Sequence, residues 1–298
     1  MTFCMRLRFW GTRGSIATPG PGTNHFGGNT SCIELTTPAG ECIVLDCGTG
    51  ARLLGNQLIA NAASSINATI LLTHTHWDHI QGFPFFAPLF VPGNSFAVYG
   101  PEGSHLSLRD VLAGQMEHHY FPVELDQLAA RITYRDLSEG VHRIAGLQIS
   151  AQRMNHPSAT LGFRIQAGGE SICYLSDHEP YCEEVWRDPA QPGHIDSIRD
   201  PGDRRHAEFM RGAGLVIHEA QYTPEEYPAK RNWGHSTYAY VVQVAAAAEV
   251  RRLFLTHHDP SHDDDFLREV ERRARELASQ LGSPMEVVCA YEGLEVVA

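Results

Sequence analysis

The chain has 298 residues, 43% of them hydrophobic, and a formal net charge of −12 with neutral histidines. That length suits one large domain or two small ones, with enough apolar side chain for a sizeable core. The acidic balance weighs against a surface that coats nucleic acid, and no apolar run is long enough to span a bilayer.

Short strand-like runs crowd the first half, at 5–10, 30–36, 42–46, 68–73 and 95–99. Glycine- and proline-rich clusters, such as Pro19-Gly20-Pro21-Gly22 and Phe26-Gly27-Gly28-Asn29, separate them. A second set of strands is expected at 131–134, 147–153, 161–166 and 171–175. Beyond it, 215–218 reads as a strand and alanine-rich 236–248 as a helix. A strand at 253–256, a charged amphipathic helix at 263–281 and a strand at 285–289 complete the pattern. Asp263, Asp264 and Asp265 stand where a helix start favours negative charge. Strands in meander order with helices between them predict packed sheets covered by helices, as a single domain over 1–298. Two insertions interrupt it. The segment 187–205, with prolines and many charges, reads as an exposed excursion. The segment 105–128 reads as partly helical and carries Met116, His118, His119, Tyr120 and Phe121.

Seven cysteines are present, an odd number with no C-x-x-C, mostly inside strand-like runs. They read as reduced, buried thiols. The N-terminal stretch has no long apolar core before a small-residue cleavage site, so no signal peptide is expected. Both readings point to the cytoplasm.

The densest chemistry follows the apolar run 68–73. His74-Thr75-His76-Trp77-Asp78-His79 sets four metal-competent side chains in the order H-x-H-x-D-H. Alternation along an extended segment puts His74 and His76 on one side, and Asp78 and His79 follow where the chain turns into a helix. One short segment therefore offers imidazoles to one metal, and a carboxylate plus an imidazole to a second. Neutral imidazole and carboxylate suit zinc, and also manganese or iron. Further ligand-type residues stand at strand ends: His156, Asp177 and His257. A carboxylate bridges two metals where an imidazole with one free lone pair cannot, so Asp177 is the natural bridge. Each of these three, taken alone, more often reads as a turn residue or a satisfied hydrogen-bond partner.

These blocks together resemble the metallo-β-lactamase-fold hydrolases, and most of all their ribonuclease Z and small-phosphodiesterase branch. The resemblance rests on Leu45-Asp46-Cys47-Gly48, Thr73 to Gly82, Asn155-His156-Pro157 with Leu161-Gly162-Phe163, and Tyr174-Leu175-Ser176-Asp177. It continues through Ile217-His218-Glu219-Ala220, Gly234-His235-Ser236-Thr237 and Leu255-Thr256-His257. It implies an α/β fold, a four-layered αββα sandwich with the site at one edge. It implies two divalent metal ions, zinc first, with manganese or iron as alternatives. One would take His74, His76 and His156, the other Asp78, His79 and His257, with Asp177 shared. Water acidified between them would be the nucleophile, and Asp78 would accept its proton. His235 would reach the phosphoryl oxygen or leaving group, with Glu219 on its other ring nitrogen. Read without the resemblance, Gly234-His235-Ser236 is a plain helix start with Ser236 or Thr237 as cap.

The chain departs from ribonuclease Z in two places. His258-Asp259-Pro260 replaces the serine and arginine expected after the last ligand, and no segment is long enough for a tRNA-gripping arm. The expected activity is therefore hydrolysis of small phosphodiesters such as cyclic nucleotides. A tRNA 3′-processing endonuclease is the first alternative. Another metallo-hydrolase (lactonase, thioesterase or β-lactamase) and a non-catalytic metal-binding sensor are the others. A diiron oxidoreductase is disfavoured, since those relatives carry a glutamate where His76 stands. The expected partner is a small phosphodiester rather than nucleic acid or a membrane. Members often form homodimers, and 105–128 offers either a contact surface or a lid. Arg13, in Gly11-Thr12-Arg13-Gly14-Ser15, either meets a phosphate or belongs to a tight turn.

Overall fold

The computed structural model describes residues 4–103, 105–190 and 192–298. Met1 to Phe3 of the N-terminal stretch and Gln191 of the 187–205 excursion lie outside the described residues.

Among the described residues, two seven-stranded sheets form the centre. The first contains β1 (Arg6–Gly11), β2 (Cys32–Thr36), β3 (Cys42–Leu45), β4 (Asn67–Leu71), β5 (Ser95–Pro101), β6 (Arg131–Leu137) and β14 (Glu295–Val297). Its order is β14-β1-β2-β3-β4-β5-β6. The second contains β7 (Gly140–Ile144), β8 (Leu147–Arg153), β9 (Leu161–Ala167), β10 (Glu170–Leu175), β11 (Leu215–Glu219), β12 (Arg252–Thr256) and β13 (Glu286–Cys289). Its order is β13-β12-β11-β10-β9-β8-β7. Strands β3 to β6 run parallel to one another, as do β10 to β13. The helices are α1 (Ala51–Asn61), α2 (Trp77–Ile80), α3 (Leu108–Gln115), α4 (Pro201–Met210), α5 (Tyr238–Ala247) and α6 (Asp264–Gln280).

Strand alternation divides the apolar side chains among three cores. Ile43 and Leu45 point into the space between the sheets, where Phe163, Ile172, Tyr174 and Phe254 meet them. Val44, from the same strand, points the other way, with Ile70, Leu72 and Val98, against Leu54 of α1 and Leu108 and Leu112 of α3. On the far side, Cys173, Val216 and Leu253 pack under Ala207 of α4, Val241 and Ala245 of α5, and Leu267 and Ala274 of α6. The result is the four-layered αββα sandwich that the resemblance implied.

Several elements went unread. Helix α1 has Gly55 at its middle, and a Cβ there would lie 2.9 Å from the Phe86 ring. Close approach to Phe86 and Pro88 explains a glycine that argues against a helix in sequence. Helix α4 lies partly within the 187–205 excursion. Asp200 caps it through the Gly202 amide, with Pro201 at its first position. Its charges disguise a buried face of Asp203, His206, Ala207 and Met210. Edge strands β7 and β14 are short and weakly patterned. In the 105–128 segment, Met116 is buried in the outer core whereas Tyr120 is 78% exposed. The described cysteines are all free thiols. Among the described residues, no helix is long and apolar enough to cross a membrane.

Candidate metal centre

The carboxyl ends of the central strands converge on one rim, the usual place for a site in a parallel sheet. Asp46 follows β3 and His74 follows β4, while Asp177, Glu219 and His257 stand at the ends of β10, β11 and β12. His156 follows β8, and Asp78 and His79 lie in α2.

Two groups of donors form there and lie side by side. His74, His76, His156 and Asp177 bring one ligand atom each within 4.8 Å of one another, and so do Asp78, His79 and His257. Asp177 connects the groups: Oδ2 lies 3.4 Å from His74 Nε2, and Oδ1 lies 3.4 Å from His79 Nε2 and 3.3 Å from His257 Nε2. A third grouping, Asp177, His235 and His257, meets the same criterion. All seven residues named as ligands from sequence therefore meet in space, and His235 stands beside them.

The rings are held from behind. His79 Nδ1 is 2.8 Å from Asp46 Oδ2, His257 Nδ1 is 2.9 Å from Gln221 Oε1, and His156 Nδ1 is 2.9 Å from the Gly234 carbonyl. In each pair the imidazole donates from Nδ1 and the oxygen accepts, so Nε2 faces inward as the atom that a cation would take. The inward Nε2 atoms of His79 and His257 lie 3.2 Å apart, and His257 Nε2 is 3.0 Å from Asp78 Oδ2. His76 instead turns Nδ1 inward, 3.2 Å from His156 Nε2. His74 Nε2 is buried with no hydrogen-bond partner among the described residues. Where no proton lies between them, facing lone pairs and carboxylate oxygens repel, and a divalent cation would take the place that a proton on His79 otherwise fills. The donor set, imidazole nitrogen and carboxylate oxygen, fits divalent metal ions of the zinc, manganese or iron type.

The electrostatics differ between the imidazoles. Burial opposes protonation of His79, but Asp78, Asp177 and Asp46 overcome it and hold His79 well above its ordinary value; a bound cation would displace that proton. Burial pushes His74 down to about 4, with His79 adding to the effect, so its imidazole is neutral at ordinary pH. Burial likewise lowers His76 and His156. Burial works against the charged forms of Asp78 and Asp177, but the surrounding imidazoles overcome it and hold both well below the usual carboxylate range. Burial also opposes protonation of His235, yet Asp177, Glu219 and Asp78 raise it to about 9. A cation on Asp177 would weaken that pull.

Three non-glycine residues with left-handed backbone stand at the same rim. Asp46, His257 and Ser15 all have positive φ, at 57°, 59° and 63°, a costly conformation away from glycine. Each is over-determined by bonds. Asp46 accepts from the Thr73 amide and hydroxyl and from the Tyr174 hydroxyl as well as from His79. The Ser15 amide donates to Asp78 Oδ2 at 2.7 Å. Gly14, just before it, lies so close to His257 that a Cβ would sit 2.2 Å from Nδ1.

Arg13 faces away from this rim. It is fully buried and donates to the carbonyls of Gly27, Asp259 and His262. It ties the N-terminal turn to the loop after β12, so the turn is the reading of this stretch that the geometry bears out. Glu219 gives its carboxylate to the backbone amides of Ser236 and Gln221. His235 Nδ1 lies 3.7 Å from Glu219 Oε2 and 3.9 Å from Asp177 Oδ2, ion-pair distances longer than a hydrogen bond. Thr237 is the cap of α5, through the Tyr240 amide. Asp46 and Gln221 had no assigned role in sequence. Their partners lie 33 and 36 positions away; Asp46 falls in the Leu45-Asp46-Cys47-Gly48 block, whereas nothing local signals Gln221.

A cavity of about 850 Å³ opens beside His156, walled by Asn155, Glu179, Tyr181, Tyr227 and Arg231. Trp77, between His76 and Asp78, stands 75% exposed at the rim.

Comparison with known proteins gives a consistent result. Ribonuclease Z of Bacillus cereus (strain G9842) is 27% identical over 290 residues, covering 87% of this chain and 92% of its own length. The metallo-β-lactamase fold protein YhfI from Bacillus subtilis superposes with a TM-score of 0.66 at 18% identity, over 99% of this chain and all of its own. A diphosphatase of the PhnP family superposes with a TM-score of 0.64 at 18% identity, over 98% and 97%. These two similarities establish the fold. The model of the beta-lactamase superfamily domain matches residues 42–258, which include every donor of the rim. The chain accordingly belongs to the beta-lactamase superfamily and is a hydrolase of the metallo-β-lactamase fold.

Proposed function

We propose that the protein is a two-metal phosphodiesterase acting on small phosphodiesters, cyclic nucleotides first among them. The observation that carries this reading is the pair of donor groups joined through Asp177. His74, His76 and His156 would hold one divalent ion, Asp78, His79 and His257 the other, and Asp177 both. Bound there, such ions acidify water toward neutral pH and neutralise phosphate charge.

The chain's own residues supply the rest. Asp78, itself one of the second group and fixed by the Ser15 amide, takes the proton of the attacking water. His235 is buried beside Asp177 and stacked on His257, with ring centroids 5.1 Å apart. Its proton is held by the neighbouring carboxylates, and it delivers that proton to the leaving oxygen. Glu219 keeps it in place by gripping the next peptide, at Ser236. The cavity beside His156 receives the remainder of the substrate.

A second reading, tRNA 3′-end processing, is favoured by the Ribonuclease Z name of relatives that align over most of the chain. The net charge of −12 argues against it, because long RNA draws its affinity from cationic contacts. Kinetics of the metal-loaded protein on a chromogenic phosphodiester, 2′,3′- and 3′,5′-cyclic nucleotides and a pre-tRNA separate the two. Small-diester hydrolysis with little tRNA cleavage supports the proposal, and the reverse ranking overturns it.

A further inference from the structure

We infer that Glu179 is a positioning residue for His156 and His235, acting through the backbone of the loop that carries Gly234. This inference rests on the proposed roles of those two histidines.

Glu179 lies two positions after Asp177 and is buried. Its carboxylate accepts three hydrogen bonds from one distant loop. The Tyr227 hydroxyl and the Asn232 amide donate to Oε1 at 2.8 and 2.7 Å, and the Gly234 amide donates to Oε2 at 2.8 Å. Its own main chain is tied to Asn155: the Glu179 amide donates to the Asn155 carbonyl, and the Asn155 side-chain amide donates to the Glu179 carbonyl, both at 2.8 Å. One residue thus joins the segments that carry Asp177, His156 and His235. Among the described residues no cation pairs with it, so these donors are what satisfy a buried charge.

The loop needs such a grip. Asn232 and Gly234 both have positive φ, at 67° and 88°. The chain at Gly234 presses on His156 so closely that a Cβ would lie 2.3 Å from its Nδ1. That approach lets the Gly234 carbonyl accept the Nδ1 proton of His156 and fixes Nε2 toward the donor cluster. The next residue is His235. On its other side the Ser236 amide donates to Glu219. Two buried carboxylates therefore hold the amides of Gly234 and Ser236, the residues on either side of His235.

The chemistry requires a carboxylate. Both oxygens of Glu179 face backbone N–H groups. A glutamine of the same shape would turn its NH₂ toward either Gly234 or Asn232 and lose that bond. A residue that only filled space would tolerate the exchange.

The test is Glu179→Gln in the zinc-loaded protein, with Tyr227→Phe as a milder variant that removes one donor and leaves the carboxylate. Three quantities are read: chelator competition for zinc, kcat and KM on a phosphodiester, and the Nδ1–H signal of His156 in ¹⁵N-histidine spectra. That signal is assigned by its loss in His156→Asn. Expected for Glu179→Gln are a far-ultraviolet circular dichroism spectrum like wild type and a kcat lower by about 10–100-fold, the usual effect of removing support from a ligand. KM should change less. The His156 Nδ1–H signal should shift or broaden. Tyr227→Phe should move the same quantities in the same direction by less. An unchanged His156 signal together with kcat within twofold of wild type, in whichever variant folds, overturns the inference. If wild type itself lacks phosphodiesterase activity, the functional proposal fails. The role of Glu179 is then decided by the His156 signal and zinc affinity: a shifted or broadened signal with weakened zinc binding in Glu179→Gln upholds it, and both unchanged overturn it.

Discussion

Asp46 accepts the Nδ1 proton of His79 at 2.8 Å, with both side chains fully buried. Neither residue can turn. Asp46 also takes the Thr73 amide and hydroxyl and the Tyr174 hydroxyl, so His79 is aimed by a carboxylate that is itself locked. Asp46→Asn keeps the shape but sets an NH₂ among four donors. It should cost about 3 kcal/mol of stability, as for other broken buried pairs, and lower metal affinity by about 10–100-fold. Urea unfolding and chelator competition check the two effects. A variant with wild-type metal affinity would show that Asp46 does not set the His79 tautomer.

Removing His235 separates its two geometric options. It stands outside the seven proposed ligands, yet with Asp177 and His257 it forms a third grouping. His235→Ala should lower kcat by about 10²–10⁴-fold, as for lost general acid help, with metal content unchanged. Metal analysis beside steady-state kinetics reads both. A lost metal equivalent would make His235 a ligand.

Gly14→Ala is a steric test. Its new Cβ would lie 2.2 Å from His257 Nδ1, in the space where Gln221 now accepts that ring's proton. The overpacking should cost about 1–3 kcal/mol and displace His257, emptying the second donor group while His74, His76 and His156 keep theirs. Metal analysis should find one equivalent instead of two. Full occupancy with wild-type activity would contradict the placement of His257.

A separate histidine group behind the centre contributes to the pH dependence of stability. His206 stacks on His178 with ring centroids 3.8 Å apart, and its Nε2 meets His218 Nε2 at 2.8 Å. Burial holds His206 well below its ordinary value, and His178 and His218 add to that. The folded protein therefore keeps it neutral while the unfolded chain protonates near pH 6.5. Its contribution is complete above that pH and is lost as pH falls, by up to about 1.4 kcal/mol per unit. Asp203, on the same helix, works oppositely. Burial raises it to about 6, so its contribution grows as pH falls below 6. Urea unfolding between pH 7 and 6 should show stability falling, with a shallower slope in His206→Phe. Equal slopes would show that His206 is not the titrating group.

Legibility in the sequence followed locality. His74, His76, Asp78 and His79 share one short segment after an apolar strand, so their chemistry was plain. His156, Asp177 and His257 were legible as polar residues closing strands, and the order of the blocks supplied the sandwich. Gln221 and Glu179 were not legible, because each acts on a loop far along the chain. Arg13 read as a possible phosphate ligand because its neighbours are glycine and serine, while its actual acceptors are carbonyls up to 249 positions away. Helices α1 and α4 escaped because Gly55 and the charges of 200–208 mask faces that only tertiary contact makes apolar.

Metal content measured together with chelator-sensitive turnover bears most directly on the central claim. Protein purified without added metal, or reconstituted with zinc or manganese, is assayed by elemental analysis and then on a chromogenic phosphodiester before and after chelation, with Asp177→Asn in parallel. The account predicts about two equivalents per chain, hydrolysis abolished by chelation and restored by metal, and loss of both ions' tight binding in Asp177→Asn. Phosphodiester hydrolysis that survives complete metal removal, or a chain that binds no divalent metal at this rim, would contradict it.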